Sequence, residues 1–398
     1  NGFYYFTENR WYNVNKFNTD GLNNVLNFID VKENPLNSKV YAGTTSGLIS
    51  YDYTKIEVFD ESNSLLELQT VGSNNYVVGL DFDSKGNVWM ANSHTNRAVK
   101  VMDKAGEWYS YPLITGGENQ KYSGIFVDSK DQVWVRAFRN GVALLPSFSE
   151  LAGNHDGQSI TLNTSTANLP HNNVNVIVED RKGVIWLGTD EGIAVFDCPD
   201  NIFEDGNDCK ISRRIKSTLD EYTEYLFDTD VVNTITVDGA NRKWVGTTAG
   251  VWLVSESGEE VILNFNTENS PLPSNEILTI SVNEYTGEVF IGTSEGIASY
   301  LGDATEPSED ISTIKAFPNP IHPTYEGTIS VTGLVANSYI KITDIGGTLI
   351  DDGYALGGKY VWDGKDYNGR RASTGVYLIF SSDNNNENKA VAKVVFIN

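Results

Sequence analysis

A ten-residue phrase constrains this chain more than any other feature. Its fullest copy is Val184-Ile185-Trp186-Leu187-Gly188-Thr189-Asp190-Glu191-Gly192-Ile193. Close copies run over residues 40–48, 243–251 and 289–297, and two worn copies lie at 88–91 and 133–136. Their aromatic anchors are Tyr41, Trp89, Trp134, Trp186, Trp244 and Phe290, spaced by 48, 45, 52, 58 and 46 residues when the residue numbers are subtracted. A period in that range with strand-like content is the mark of the radial blades of a β-propeller.

Each copy carries the same local instructions. An apolar run such as Val176-Ile177-Val178 ends at a Gly/Asp-rich turn, the anchor strand follows, and Gly-Thr-x-x-Gly turns the chain into a third strand such as Ile193-Ala194-Val195-Phe196. Short apolar runs between Gly, Asn and Asp turns are strand and hairpin signals. A second echo precedes three copies, at Leu22-Asn23-Asn24-Val25, Leu169-Pro170-His171-Asn172-Asn173-Val174 and Leu272-Pro273-Ser274-Asn275-Glu276-Ile277. It marks the crossing from one blade's outer strand to the next blade's inner strand. The long connections 151–167 and 197–228 absorb the two widest spacings without a further blade. Residues 3–14 read as two outer strands of a blade whose inner strands are missing, so the count favours seven blades, with six as the alternative.

From residue 303 the pattern changes. Residues 303–311 are polar and contain Pro307, which reads as a linker between a propeller over 1–302 and a third region, 312–398. There, alternating runs at 328–331, 339–343, 376–380 and 390–397 suit a small antiparallel β-sandwich of immunoglobulin-like type. The expected fold class is therefore all-β.

Charge narrows the function. Lys and Arg number 29 against 53 Asp and Glu, a formal charge of −24. Such a field lacks the basic footprint that nucleic acid requires. Against it, the run Arg213-Arg214-Ile215-Lys216 stands out as a place to hold a phosphate or carboxylate, as does Arg370-Arg371. Arg136 and Arg139 break the Gly-Thr turn of a worn copy and point guanidinium groups toward a propeller face. Ordinary surface arginine is the competing reading for all of them.

The two cysteines, Cys198 and Cys209, sit eleven apart, and a disulfide between them fits an oxidising compartment. Between them lies an oxygen-rich stretch whose Asp197, Asp200, Glu204, Asp205 and Asp208 suggest a calcium site. A solvated, disulfide-tied loop competes, because the spacing misses the EF-hand register. No cofactor is required by any motif. Gly292-Thr293-Ser294-Glu295-Gly296 matches the G-x-S-x-G pattern of serine hydrolases. That chemistry needs a strand-to-helix elbow, whereas this context is strand-turn-strand, and sister copies carry residues such as Thr45 and Asp190 there. Ser294 is expected to be a turn residue.

The repeats resemble the two-component-regulator propellers of Bacteroidetes-like sensors, whose blades carry W-x-G-T-x-x-G. The tail resembles the C-terminal sorting domain of type IX secretion cargo. Its marks are Pro318-Asn319-Pro320 after Ala316-Phe317, Gly346 in Thr343-Asp344-Ile345-Gly346-Gly347, Gly375-Val376-Tyr377-Leu378, and Lys393 in the closing run. Joined, the two are similar to a surface component of the type IX attachment complex that has two propellers and such a tail. The resemblance implies a non-catalytic subunit, exported to the cell surface and associated with the outer membrane. It would bind anionic lipopolysaccharide, keep its tail, and deliver the glycolipid to a sortase-like protease alongside outer-membrane shuttle proteins. The rival expectation is a secreted propeller enzyme, a polysaccharide lyase or hydrolase, that uses the tail only for export.

Overall fold

The computed structural model describes residues 2–7, 10–15, 17–19, 21–22, 25, 27–69, 72, 74–113, 120–151, 159–199, 202–203, 211–212, 215–216, 224–310, 314–383 and 389–397. Every described sheet is antiparallel where its strands pair in register. Two compact units emerge, one of residues 1–214 with 227–232, the other of 215–226 with 233–398.

The first unit holds four sheets, one per repeat, each of four strands in sequence order. The fourth sheet is typical: Val174–Glu179, Ile185–Thr189, Gly192–Phe196 and Ile211–Ser212. The phrase supplies the second strand, the turn and the third strand. Both of those strands are buried along their whole length, as expected where neighbouring sheets cover both faces of a strand pair. A hairpin of Gly2–Thr7 with Arg10–Asn15 precedes the first sheet. Its Phe3 and Val14 share a core with Leu22, Val40 and Ile49.

A rule absent from the sequence reading fixes the anchors. In the second, third and fourth sheets an aspartate six residues before the tryptophan caps the preceding turn. Asp83, Asp128 and Asp180 accept backbone N–H groups through Oδ1 and the indole N–H of Trp89, Trp134 and Trp186 through Oδ2, at 3.1, 2.8 and 3.1 Å. Burying an indole leaves its N–H in need of an acceptor, and the acid supplies one. In the first and sixth repeats the anchor is Tyr41 or Phe290, without an indole, and the turn residue is Asn34 or Asn283.

In the second unit, the fifth sheet (Val232–Val237, Lys243–Thr247, Gly250–Val254, Val261–Phe265) and a three-stranded sixth (Ile277–Val282, Glu288–Thr293, Gly296–Leu301) repeat the design. Two further sheets follow. One orders Lys315–Phe317, Ile329–Thr332 and Lys359–Trp362; the other orders Leu349–Tyr354, Tyr339–Asp344, Gly375–Ser382 and Lys389–Phe396. They share one core, with Ile329, Val331 and Trp362 from the first facing Ile342, Ile379 and Phe396 from the second.

Residues 302–306 are built into this unit. Gly302 and Glu306 N–H groups donate to Gly287 and Glu284 carbonyls, and the Gly358 N–H donates to Thr305 O at 2.8 Å. The Lys359 ammonium reaches Gly302 O at 3.0 Å, and Arg242 reaches Asp303 at 2.6 Å while pairing with Asp238. Ala304 and Thr305 are buried.

Candidate functional site

The site is assembled from the turns that join second and third strands. In an intact copy, the threonine closes the turn twice. Thr189 Oγ1 donates to Gly192 O at 2.9 Å and accepts the Glu191 N–H at 3.1 Å, and Thr44, Thr247 and Thr293 do the same. The glycine that follows is required by contact. Gly47 has φ 116°, and a Cβ there would lie 2.1 Å from Phe59 O on the outer strand. Its N–H also donates to Asn75 O, on the entry to the next sheet, at 2.9 Å. Ser294 sits at the tip of one such turn, exposed, with its hydroxyl 3.1 Å from that of Ser274. The phrase's hydroxyls and glycines serve geometry, as the sequence implied.

The third repeat departs from this scheme. Arg136 stands where sister copies have glycine. Its guanidinium donates to Asn175 O and to Ser123 O, the latter at 2.9 Å. Room for it comes from Gly124 opposite, where a Cβ would meet the guanidinium at 2.1 Å. Arg136 is thus spent on stitching the third sheet to the fourth, and burial pushes its pKa down.

Beyond it the turn is one residue longer, pairing Ala137 with Gly141 where the fourth sheet pairs Thr189 with Gly192. Arg139 at its tip adopts φ 61°, a left-handed conformation that costs a non-glycine residue about 1 kcal/mol. Hydrogen bonds hold it there. The Phe138 N–H donates to Lys121 O, Gln120 Nε2 donates to Phe138 O, and the Arg139 N–H donates to Asn173 Oδ1 at 3.1 Å. Asn173 in turn donates to Asp190 at 2.7 Å. The result is an exposed phenylalanine between two cations: Lys121 Nζ lies 4.6 Å and Arg139 Cζ 5.1 Å from the Phe138 ring centroid. Cation–π attraction positions both charges. A held, strained tip with paired cations and an apolar plate suits a phosphate or carboxylate attached to a sugar or acyl body.

Of the sequence candidates, Arg139 therefore belongs to this cluster, while Lys121 and Phe138 were missed. Phe138 was visible as an aromatic in a tip where intact sister copies carry Thr, Asp or Ser. Arg213 and Arg214 lie outside the described residues. Lys216 lies in a short strand, Ile215–Lys216, paired with Glu224–Tyr225. Cys198 is disulfide-bonded, and Cys209 lies outside the described residues. So do Asp200, Glu204, Asp205 and Asp208. Asp197 is exposed and accepts a hydrogen bond from Ser212 at 3.2 Å. Among the described residues, no cluster of three His, Cys, Asp or Glu side chains could hold a metal.

The tail motif forms a clip. Peptides Phe317–Pro318 and Asn319–Pro320 are cis. Asn319 Nδ2 donates to Lys393 O at 2.8 Å and Asn319 Oδ1 accepts the Val395 N–H at 3.1 Å. The Ile321 N–H continues the pairing to Val395 O. Gly346 lies in the turn capped by Asp344, and Gly375 opens a strand of the same sheet.

With sheets and turns in place, the class of fold is clear: an all-β chain of propeller-type sheets followed by two small packed sheets. Residues 168–191 match the family model for the two component regulator propeller. Over 99% of its length the chain superposes on PorZ of Porphyromonas gingivalis, described as an essential bacterial surface component of the type IX secretion system, with TM-score 0.71 and 22% identity. Over its whole length it superposes on the extracellular domain of a one-component system protein from B. thetaiotaomicron, with TM-score 0.52 and 13% identity. The chain spans 55% of each of those two chains. A virginiamycin B lyase from Staphylococcus aureus is more distant, at TM-score 0.46 and 13% identity over 76% of this chain and 89% of the lyase. No curated protein matches the chain. Among the described residues, no helix is long and apolar enough to cross a membrane.

Proposed function

We propose that this chain is a non-catalytic subunit at the cell surface, part of a type IX attachment complex, that binds anionic lipopolysaccharide and delivers it to a sortase-like protease. The cluster of Lys121, Phe138 and Arg139 carries the reading. It offers two cations and an apolar plate on a chain of charge −24, which resolves the conflict between an acidic protein and an acidic glycolipid. The full-length likeness to PorZ supports the setting. In this reading the propeller has seven blades. The hairpin Gly2–Asn15 supplies the outer strands of the seventh, which accords with its core packing against the first sheet. The tail is an immunoglobulin-like sandwich that stays attached, supported by the burial and hydrogen bonding of residues 302–306.

Binding of purified protein to immobilised anionic lipopolysaccharide tests the proposal. Lys121→Glu with Arg139→Glu is expected to lower affinity at least tenfold, and raised salt to weaken the wild type. Unchanged affinity in the double variant would place the site elsewhere. Intact mass of the surface-bound protein tests retention: a species lacking residues 312–398 contradicts it.

A further inference from the structure

We infer a second binding site, independent of the turn-face reading, in the cleft between the first and second repeat sheets: a pocket for one acidic sugar unit, a hexuronate. The cleft is a cavity of about 320 Å³, within the range of small-molecule sites. It lies at the opposite strand ends from the Gly-Thr turns, since Lys39 and Tyr41 begin the strand whose far end is Thr44.

The cavity has a structural origin. Trp89, Trp134, Trp186 and Trp244 fill the anchor position in the next four sheets and are wholly buried. The first sheet has the smaller Tyr41 there. Asn34, at the place of the capping aspartate, spends its amide on Gly86 O at 3.0 Å and its oxygen on the Leu36 N–H at 3.0 Å. Tyr41 is 5% exposed, yet among the described residues its hydroxyl has no hydrogen-bond partner. Its phenol can donate a hydrogen bond to a ligand oxygen there or accept one.

The chemistry of the walls selects the ligand. Lys39 and Lys104 line the cavity, and among the described residues no carboxylate forms an ion pair with either. The two acids of the lining are already engaged. Glu57 pairs with Lys55 at 2.7 Å, and Asp103 accepts the Ala105 and Glu107 N–H groups at 2.8 and 2.9 Å. Lys39, which also acts on the Glu57 carboxylate, and Lys104 thus line the cavity together with the Tyr41 phenol, the Ser50 hydroxyl and the apolar Phe59 and Met102. An anion fits the ammonium groups, ring hydroxyls fit the phenol and serine, and the C–H face of a pyranose fits the apolar pair.

Titration calorimetry on the full chain tests this with sodium glucuronate, glucose and inorganic phosphate as probes. Saturable binding of glucuronate, at least tenfold tighter than either control, is expected. Tyr41→Trp places the sister sheets' residue in the cavity and should abolish binding with the melting temperature kept. Lys104→Met, on an exposed side chain, should weaken it severalfold. Methyl β-glucuronide binding equally would mark the end of a polysaccharide as the source; its failure beside glucuronate would mark the free sugar, and both results keep the site. Absence of saturable binding, equal binding by Tyr41→Trp, or equal binding of glucose or phosphate overturns the inference.

Discussion

In the repeat sheets the side chains that close a phrase on itself reach three to six residues along the chain, as Thr44 reaches Gly47 and Asp83 reaches Trp89, and longer bonds such as Asp131 to the Ser84 N–H join neighbouring sheets. In the C-terminal sheets they reach much further: Arg371 donates to Tyr325 O, 46 residues away, and Asn319 to Lys393 O, 74 away. The first arrangement lets each repeat specify itself and then dock on its neighbours. Damage should therefore spread only to adjoining sheets, as in other repeat architectures. The second makes the last strand depend on a clip near the start of its domain, and closing so long a loop must be repaid by contacts made together.

The sharpest way to break this contrast is to remove an anchor. Trp186 is 1% exposed and its indole N–H is held by Asp180. Trp186→Ala should cost about 3–5 kcal/mol, the range for deleting a buried tryptophan, in guanidinium unfolding. Hydrogen exchange should accelerate in Val174–Glu179 through Gly192–Phe196 and leave the pair Gly375–Ser382 and Lys389–Phe396 protected. Equal acceleration in both would show that the two regions unfold as one.

A smaller effect separates backbone conformation from contact. Gly141 and Gly106 have φ 80° and 87°, but a Cβ at Gly141 would lie 2.0 Å from Leu162 O, while at Gly106 nothing lies within 4 Å. Gly141→Ala should cost about 3 kcal/mol, conformational strain plus displacement of the outer strand, and Gly106→Ala about 1 kcal/mol from conformation alone. Equal costs would mean that the outer-strand contact does not constrain the turn. In the C-terminal sheets, Asn319→Ala removes both hydrogen bonds to the last strand. It should cost about 1–2 kcal/mol and speed exchange at the Val395 amide, with the repeat sheets unaffected.

The same difference in reach decides what is legible in the sequence. The six repeats, their strand order and the turn role of Ser294 follow from contacts closed within one phrase. The tail's strands at 339–343, 376–380 and 390–397 were visible by alternation; Leu349–Tyr354 was not, because its Asp351-Asp352-Gly353 core breaks the apolar alternation although it pairs with the adjacent Tyr339–Asp344, and Lys359–Trp362 was not, because its partner Ile329–Thr332 lies far back in the chain. Arg136 and Arg139 were marked together by their break with the pattern. Separating them required Gly124, twelve residues back, whose missing side chain lets Arg136 turn inward. Lys121 became a partner of Phe138 only through the docking of the turn on the strand entry.

Acidification offers the finest test, because a carboxylate in each region responds with opposite sign. Asp128, buried under Trp134, has its pKa pushed up to about 6 by burial, against the hydrogen bonds it accepts from that indole and from Gln132. The folded state therefore binds a proton more readily than the unfolded chain. This contribution is fully present below about pH 4 and is lost as pH rises through about 6. Between pH 7 and pH 5 the wild type should gain about 1 kcal/mol relative to Asp128→Asn, read as converging or diverging melting temperatures across that range. Asp352, on the C-terminal edge strand, is held below its ordinary value by the hydroxyls of Tyr339 and Tyr367. Its contribution is present at pH 7 and fades only as the pH falls below the normal carboxylate range. From pH 7 to pH 5, protection in Tyr122–Val127 and Val133–Ala137 should rise while that in Leu349–Tyr354 stays level. A pH-independent gap between wild type and Asp128→Asn would mean that Asp128 remains ionised beneath its tryptophan, and that the indole N–H outweighs desolvation at that anchor.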